Sequence, residues 1–115
     1  VSHCGGIGEL LRIASFAEVY GVQVAPHGPN GPVALAAAVH ACAAMPNFLI
    51  LEYCRLQPWF DQVQVFGPKV ENGHVALSDR PGLGVELDWD YVQKYPYKRQ
   101  PLRTFINQDN GLPMI

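Results

Sequence analysis

No stretch constrains the fold of this chain more than residues 22–52. A β-branched run, Val22-Gln23-Val24-Ala25, and a wholly apolar one, Phe48-Leu49-Ile50-Leu51, bracket an alanine-rich stretch over residues 32–45. The first run stops against Pro26-His27-Gly28-Pro29 and the second on Glu52, so both read as short strands. Asn30-Gly31-Pro32 opens the intervening stretch with proline at the first turn of a helix, where its missing N–H costs nothing. That helix, over residues 33–44, is apolar almost all round and stops before Pro46-Asn47, the pattern of a helix buried on most sides. Parallel neighbouring strands need a crossover, and the helix supplies it. Strands without a polar face are the buried kind found in parallel sheets.

A second helix precedes this unit. Leu10, Ile13, Ala14, Ala17 and Tyr20 recur at three- and four-residue intervals, with Glu9 near the positive start and Gly21 as the stop. That spacing predicts an amphipathic helix over residues 8–20 and an α/β fold class for the whole. Two strands and their helices leave sheet edges and apolar surface uncovered, so the chain is expected to pack against further protein. Beyond Tyr53 the pattern changes. Residues 59–63 suggest a helical turn, Asn72-Gly73 marks a hairpin between short strands, and Pro81-Gly82-Leu83-Gly84 forms a turn into an extended segment. From Asp88 to Ile115, tyrosines, prolines and charges alternate without a period, which predicts an arm lying over another part of the protein.

Composition excludes several classes of function. With 115 residues, 49% of them apolar, the chain is of a size and kind that buries a core. A net charge of −2, with basic residues scattered apart from Lys98, Arg99 and Arg103, argues against nucleic acid or an anionic membrane as partner. Residues 32–45 fall short of the roughly 20 a bilayer span needs. The start, Val1-Ser2-His3-Cys4-Gly5-Gly6, lacks the basic and apolar regions of a signal peptide and reads as a chain cut in mid-loop. Cys4, Cys42 and Cys54 are odd in number, widely spaced and without a C-x-x-C pair, so they are expected to be reduced thiols of a cytoplasmic protein. Gly6 and Gly8 begin a dinucleotide-type loop, but Leu11 stands where its third glycine should be.

The candidate chemistry sits where the strands end. His27 follows the first strand between two prolines and ahead of a helix, at the edge of a parallel sheet where catalytic residues collect. Glu52 holds the equivalent place on the next strand. Taken singly, an ordinary loop histidine and a solvated strand end fit these positions equally well. Together, neighbouring strands of similar length would bring the two side chains within about 5 to 10 Å in one mouth. The positive end of the helix beginning at Pro32 faces that mouth and favours an anionic ligand such as a carboxylate. His3, in the loop ahead of the first helix, belongs to the same mouth and is a substrate-binding candidate. His40 is expected to pack within its helix and His74 to lie on the hairpin surface. None of the histidines falls into a metal-ligand spacing with the cysteines.

Four segments carry a resemblance: residues 1–7, 24–32, 47–52 and 81–88, reading VSHCGGI, VAPHGPNGP, NFLILE and PGLGVELD. In that order and spacing they resemble the C-terminal part of the mandelate racemase/muconate-lactonizing branch of the enolase superfamily, and within it the galactonate dehydratase-like acid-sugar dehydratases. The resemblance implies the C-terminal portion of a (β/α)7β-type TIM barrel. Residues 1–58 would complete the barrel, with 22–25 as its seventh strand and 48–51 as its eighth. Residues 59–115 would be an extension packing on the barrel and on an N-terminal capping domain. His27 would be the general base, and Glu52 would hydrogen-bond the substrate carboxylate as it becomes an enediolate, protonated or sharing a proton if buried.

The aspartate that orients the base, the three acidic ligands of a Mg2+ ion and a histidine acting as general acid would all lie upstream of Val1. The fragment alone would then be inactive. The implied reaction is Mg2+-dependent dehydration of an aldonate- or galactonate-like sugar acid to a 2-keto-3-deoxy acid. Racemisation or cycloisomerisation within the superfamily is the alternative, and a non-catalytic binding module with the inherited fold is another. The implied partners are the sugar acid, the rest of the polypeptide and further copies in a homo-oligomer.

Overall fold

The structure, a computed structural model, describes residues 1–54 and 59–97. Its first element, α1 (Ile7–Val19), starts at Gly6, whose φ of 110° is the left-handed region open to glycine. The second, α2 (Pro32–Ala43), carries proline in its first turn as expected. The two helices meet through Leu10 and Ala14 of α1, Ala41 of α2 and Met45 just beyond it, with Val24 and Ile7 packed against them. Leu10 is 5% exposed and Ala41 1% exposed, so this contact is the main core. α2 turns its other side, Leu35 and Val39, onto Phe60, with Leu51, Tyr53 and Val75 closing around them. Burial along α2 therefore runs nearly all round it, as its sequence implies.

Residues 22–25 and 48–51 do lie parallel, but they depart from the expected buried strands. One bridge, Val24 to Phe48, joins them. The Val24 N–H donates to the Asn47 carbonyl at 2.9 Å and the Leu49 N–H to Val24 at 2.9 Å. Pairing then continues with Glu52 N–H to Pro26 at 3.2 Å and Cys54 N–H to Gly28 at 3.3 Å, one residue out of step. Pro26 has no N–H to return, so the ladder lacks a donor where it falls out of step. The runs are also exposed: Val22 is 53%, Leu49 57% and Ile50 62% accessible. A parallel strand is buried by neighbours on both edges and helices on both faces, and among the described residues each run has one neighbour. The Asn47 amide ties the layers together, donating to Ala14 at the middle of α1 and to Val22, both at 2.9 Å.

From Trp59 the chain makes the expected turn, with Gln62 and Val63 both donating to the Trp59 carbonyl at 3.0 Å. β1 (Gln64–Phe66) pairs antiparallel with β4 (Glu86–Leu87), and β2 (Val70–Glu71) with β3 (His74–Val75). Asn72 at φ 50° and Gly73 at φ 79° make the tight turn between β2 and β3 that their residue types favour. One element departs from the expected aperiodic arm: α3 (Trp89–Lys94), started by the Asp88 carboxylate accepting from the Tyr91 N–H at 2.9 Å. An aspartate three residues ahead of an amide it can cap is a helix start that a search for long periodicity passes over. The rest of the arm, with Lys98, Arg99 and Arg103, lies outside the described residues. No described helix is long and apolar enough to cross a membrane.

Candidate active site

The two strand ends meet more intimately than their sequence positions require. His27 and Glu52 are in direct hydrogen-bond contact, imidazole Nδ1 to carboxylate Oε2. An ionised carboxylate only accepts, so Nδ1 carries the proton, and in the neutral form of the ring Nε2 is the bare nitrogen. The same Oε2 accepts the Gly28 N–H at 3.0 Å, and Oε1 accepts the Cys54 thiol at 3.3 Å. Glu52 thus receives three donors while its side chain stays 45% exposed to water.

This environment holds the Glu52 carboxyl below the usual carboxylate range. The Gly28 N–H contributes most, followed by the Cys54 thiol and His27, since each favours the ionised form. Among the described residues Glu52 is about half in water and its three donors favour the ionised form, the opposite bias to the one that burial would give. The neighbouring carboxylate pushes the Cys54 thiol up, so Cys54 remains a protonated donor.

Gly28 makes this closeness possible. A Cβ at that position would lie 1.9 Å from the Glu52 carbonyl oxygen and 2.9 Å from its carbon. Neither distance is tolerable, so only glycine lets the loop lie flat on the second strand end. Gly28 and Cys54 are the two site residues that sequence reasoning missed. The signals were there: Gly28 is flanked by His27 and Pro29, and Cys54 stands two places from Glu52, on the same side of an extended segment.

His3 comes to the same place, its ring centroid 5.8 Å from that of His27 and tilted by 58°. The two imidazoles border a small cavity of about 130 Å³, completed by Pro26, Asn30, Cys4 and Leu10. A larger cavity of about 550 Å³, between α2 and the β2–β3 hairpin, includes neither His27 nor Glu52. His40 borders that one and lies 3.3 Å from the Leu83 carbonyl, which accepts from it. His74 is exposed on the hairpin, against the Asn72 carbonyl at 2.9 Å. All three cysteines are free. Among the described residues no group of three or more His, Cys, Asp or Glu side chains could hold a metal ion, and Glu52 is already committed to its three donors. The described residues therefore do not make a metal site.

Comparison with known proteins gives a consistent result. The family described as enolase C-terminal domain-like matches residues 1–91. A D-galactonate dehydratase family member from Streptomyces bingchenggensis is 45% identical over 114 residues, covering 97% of this chain and 28% of that protein. A D-mannonate dehydratase from Sphingomonas sp. is 42% identical, covering 86% of this chain and 25% of that protein. Among solved structures, a mandelate racemase/muconate lactonizing enzyme-like protein from Rubrobacter xylanophilus superposes with a TM-score of 0.77 at 37% identity, covering 84% of this chain and 25% of that one. The chain spans about a quarter of the length of the relatives it matches.

Proposed function

The chain belongs to the enolase C-terminal domain-like family, and from that premise we propose that it supplies the proton-abstracting corner of an acid-sugar dehydratase. The observation that carries the reading is the His27–Glu52 contact at two adjacent parallel strand ends. With Nδ1 committed to a carboxylate, Nε2 is the nitrogen free to take a proton, the arrangement a general base needs. The relatives named as galactonate and mannonate dehydratases supply the substrate class.

In this reading His27 Nε2 removes the proton beside the substrate carboxylate. The electron pair of that C–H bond moves into the carboxylate to form an enediolate, and its collapse expels the β-hydroxyl as water after protonation. The resulting enol tautomerises to a 2-keto-3-deoxy acid. A divalent ion, expected as Mg2+, would offset the enediolate charge; it belongs to residues upstream of this chain, as does the general acid. Glu52 acts here as an anion that fixes the His27 tautomer, in place of the donor to the substrate carboxylate that the resemblance implies. His3, across the small cavity, would hydrogen-bond the substrate.

The same reading makes residues 1–58 the end of a (β/α)7β barrel and residues 59–115 an extension onto a capping domain, in a cytoplasmic homo-oligomer. Racemisation or cycloisomerisation uses the same His27, and the Rubrobacter structure's name keeps it in view. Product analysis separates them, because only dehydration gives a keto acid lacking one oxygen. The test of the base is His27→Asn in the full-length protein, incubated with a sugar-acid library in deuterium oxide. Loss of a positioned base lowers the rate about 10²- to 10⁴-fold, so exchange of the α-proton should disappear while substrate binding persists. Exchange at the wild-type rate on both faces would remove His27 from the mechanism.

A further inference from the structure

The Glu52 side chain is about half in water and turns about several single bonds, so contact with His27 at one oxygen does not fix the rotation of the carboxylate about its own axis. Something must hold the other oxygen. Cys54 lies two residues along the same extended segment, and its own N–H is tied to the Gly28 carbonyl at 3.3 Å. Its thiol reaches Glu52 Oε1 at 3.3 Å, on the opposite side of the carboxylate from Gly28 N–H and His27. Main chain and side chain of Cys54 thus tie the loop that carries His27, through Gly28, to Glu52 itself.

We propose that Cys54 is a positioning residue for the His27–Glu52 pair, its thiol holding Oε1 so that Oε2 alone meets His27 Nδ1 and the Gly28 N–H. Cys54 touches neither base nor substrate; it acts through the carboxylate. A thiol is a weak donor, but an ionised acceptor strengthens the bond. The neighbouring anion also opposes ionisation of the thiol, so the donor is retained through neutral pH. The role rests on the reading of His27 as a base, and its test separates the two ideas.

In the full-length protein, Cys54→Ala removes the donor and Cys54→Ser restores one. Nitrogen-15 spectra of labelled histidine report the His27 tautomer, and carbon-13 spectra of labelled glutamate report the Glu52 titration. Both are independent of turnover. The alanine variant should shift Glu52 upward toward the ordinary carboxylate range and move His27 from Nδ1–H toward a mixed tautomer. α-Proton exchange should fall about tenfold with KM unchanged, the size expected of a modest loss of alignment. The serine variant should recover both spectra and most of the rate.

Should the alanine variant fail to fold, methylthiolation of Cys54 in the folded protein, with Cys4 replaced by serine, removes the same donor. An alanine or methylthiolated protein with wild-type tautomer and titration overturns the proposal. So does a serine variant as impaired as alanine, since volume would then be what matters. If the wild type exchanges no sugar-acid proton, the base reading fails, and the spectra still decide the role of Cys54.

Discussion

Replacing Gly28 by alanine tests the whole geometry of the site through one methyl group. Gly28 is not in the left-handed region, so an alanine there meets no backbone objection; the objection is space. The new Cβ would fall 1.9 Å from the Glu52 carbonyl oxygen, about 1.5 Å inside ordinary contact, and that oxygen is main chain with no rotamer to escape into. Two responses are open. Either the strand ends part, losing the Glu52–Pro26 and Cys54–Gly28 main-chain bonds at about 1 kcal/mol each, or they stay and bear an overlap costing about 1 to 3 kcal/mol.

Both routes destabilise by about 2 kcal/mol, and the first also carries Glu52 away from His27. A displacement of about 1 Å at a reacting group costs about 10²-fold in rate, so activity should fall further than stability. Gly31→Ala in the same loop is the control. A Cβ there meets nothing within 4 Å and φ is −73°, so its effect should stay within about 1 kcal/mol, the size of a changed N-cap. Urea midpoints and α-proton exchange of the two full-length variants are the measurements. A Gly28→Ala protein with wild-type midpoint and exchange would show that the strand ends do not approach as closely as drawn here.

Three further outcomes are expected. The Glu52 carboxyl should titrate below its unperturbed value near 4.5. Because its folded pKa is the lower one, its contribution to stability is present above that unperturbed value and is lost as pH falls through the folded value; carbon-13 titration at or above 4.5 would contradict the three-donor arrangement. Leu10→Ala opens the α1–α2 contact at a residue 5% exposed and should cost about 2 to 5 kcal/mol in a urea titration, whereas a loss below 1 kcal/mol would move the core elsewhere. Gly73→Ala, at φ 79°, should cost about 1 to 2 kcal/mol and speed amide exchange within the β2–β3 hairpin while leaving His27 untouched; unchanged exchange would argue against the tight turn.

What the sequence disclosed follows from which contacts are local. α1, α2 and the hairpin are written in nearby residues: the spacing from Leu10 to Tyr20, Pro32 at a first turn, Asn72-Gly73 between short runs. α3 was equally local and was missed because six residues carry no period, although Asp88 marks its start. The apolar runs 22–25 and 48–51 revealed their parallel pairing but not their burial, because burial depends on neighbours the runs do not contain. That His27 and Glu52 share one mouth was legible from their place after the two runs. Gly28 and Cys54 left only faint marks there, because their roles depend on register, which a ladder interrupted at Pro26 does not keep.

That irregular register matters to the chemistry. A regular parallel pair would continue from Leu49 in step; here the slip of one residue places Glu52 N–H on Pro26 and Cys54 N–H on Gly28. Shifting an extended segment by one residue exchanges its two faces, so the slip decides which side chains share the mouth with His27. Pro26, with no N–H to keep the ladder in step, stands at the slip, and Gly28 permits the close approach that follows. The sequence Pro-His-Gly-Pro is thus more than a stiff loop around a histidine. It accompanies the register by which a carboxylate reaches the imidazole and a thiol two residues on reaches that carboxylate, and a substitution that restored the missing N–H at Pro26 would be felt at Glu52 before it was felt in the core.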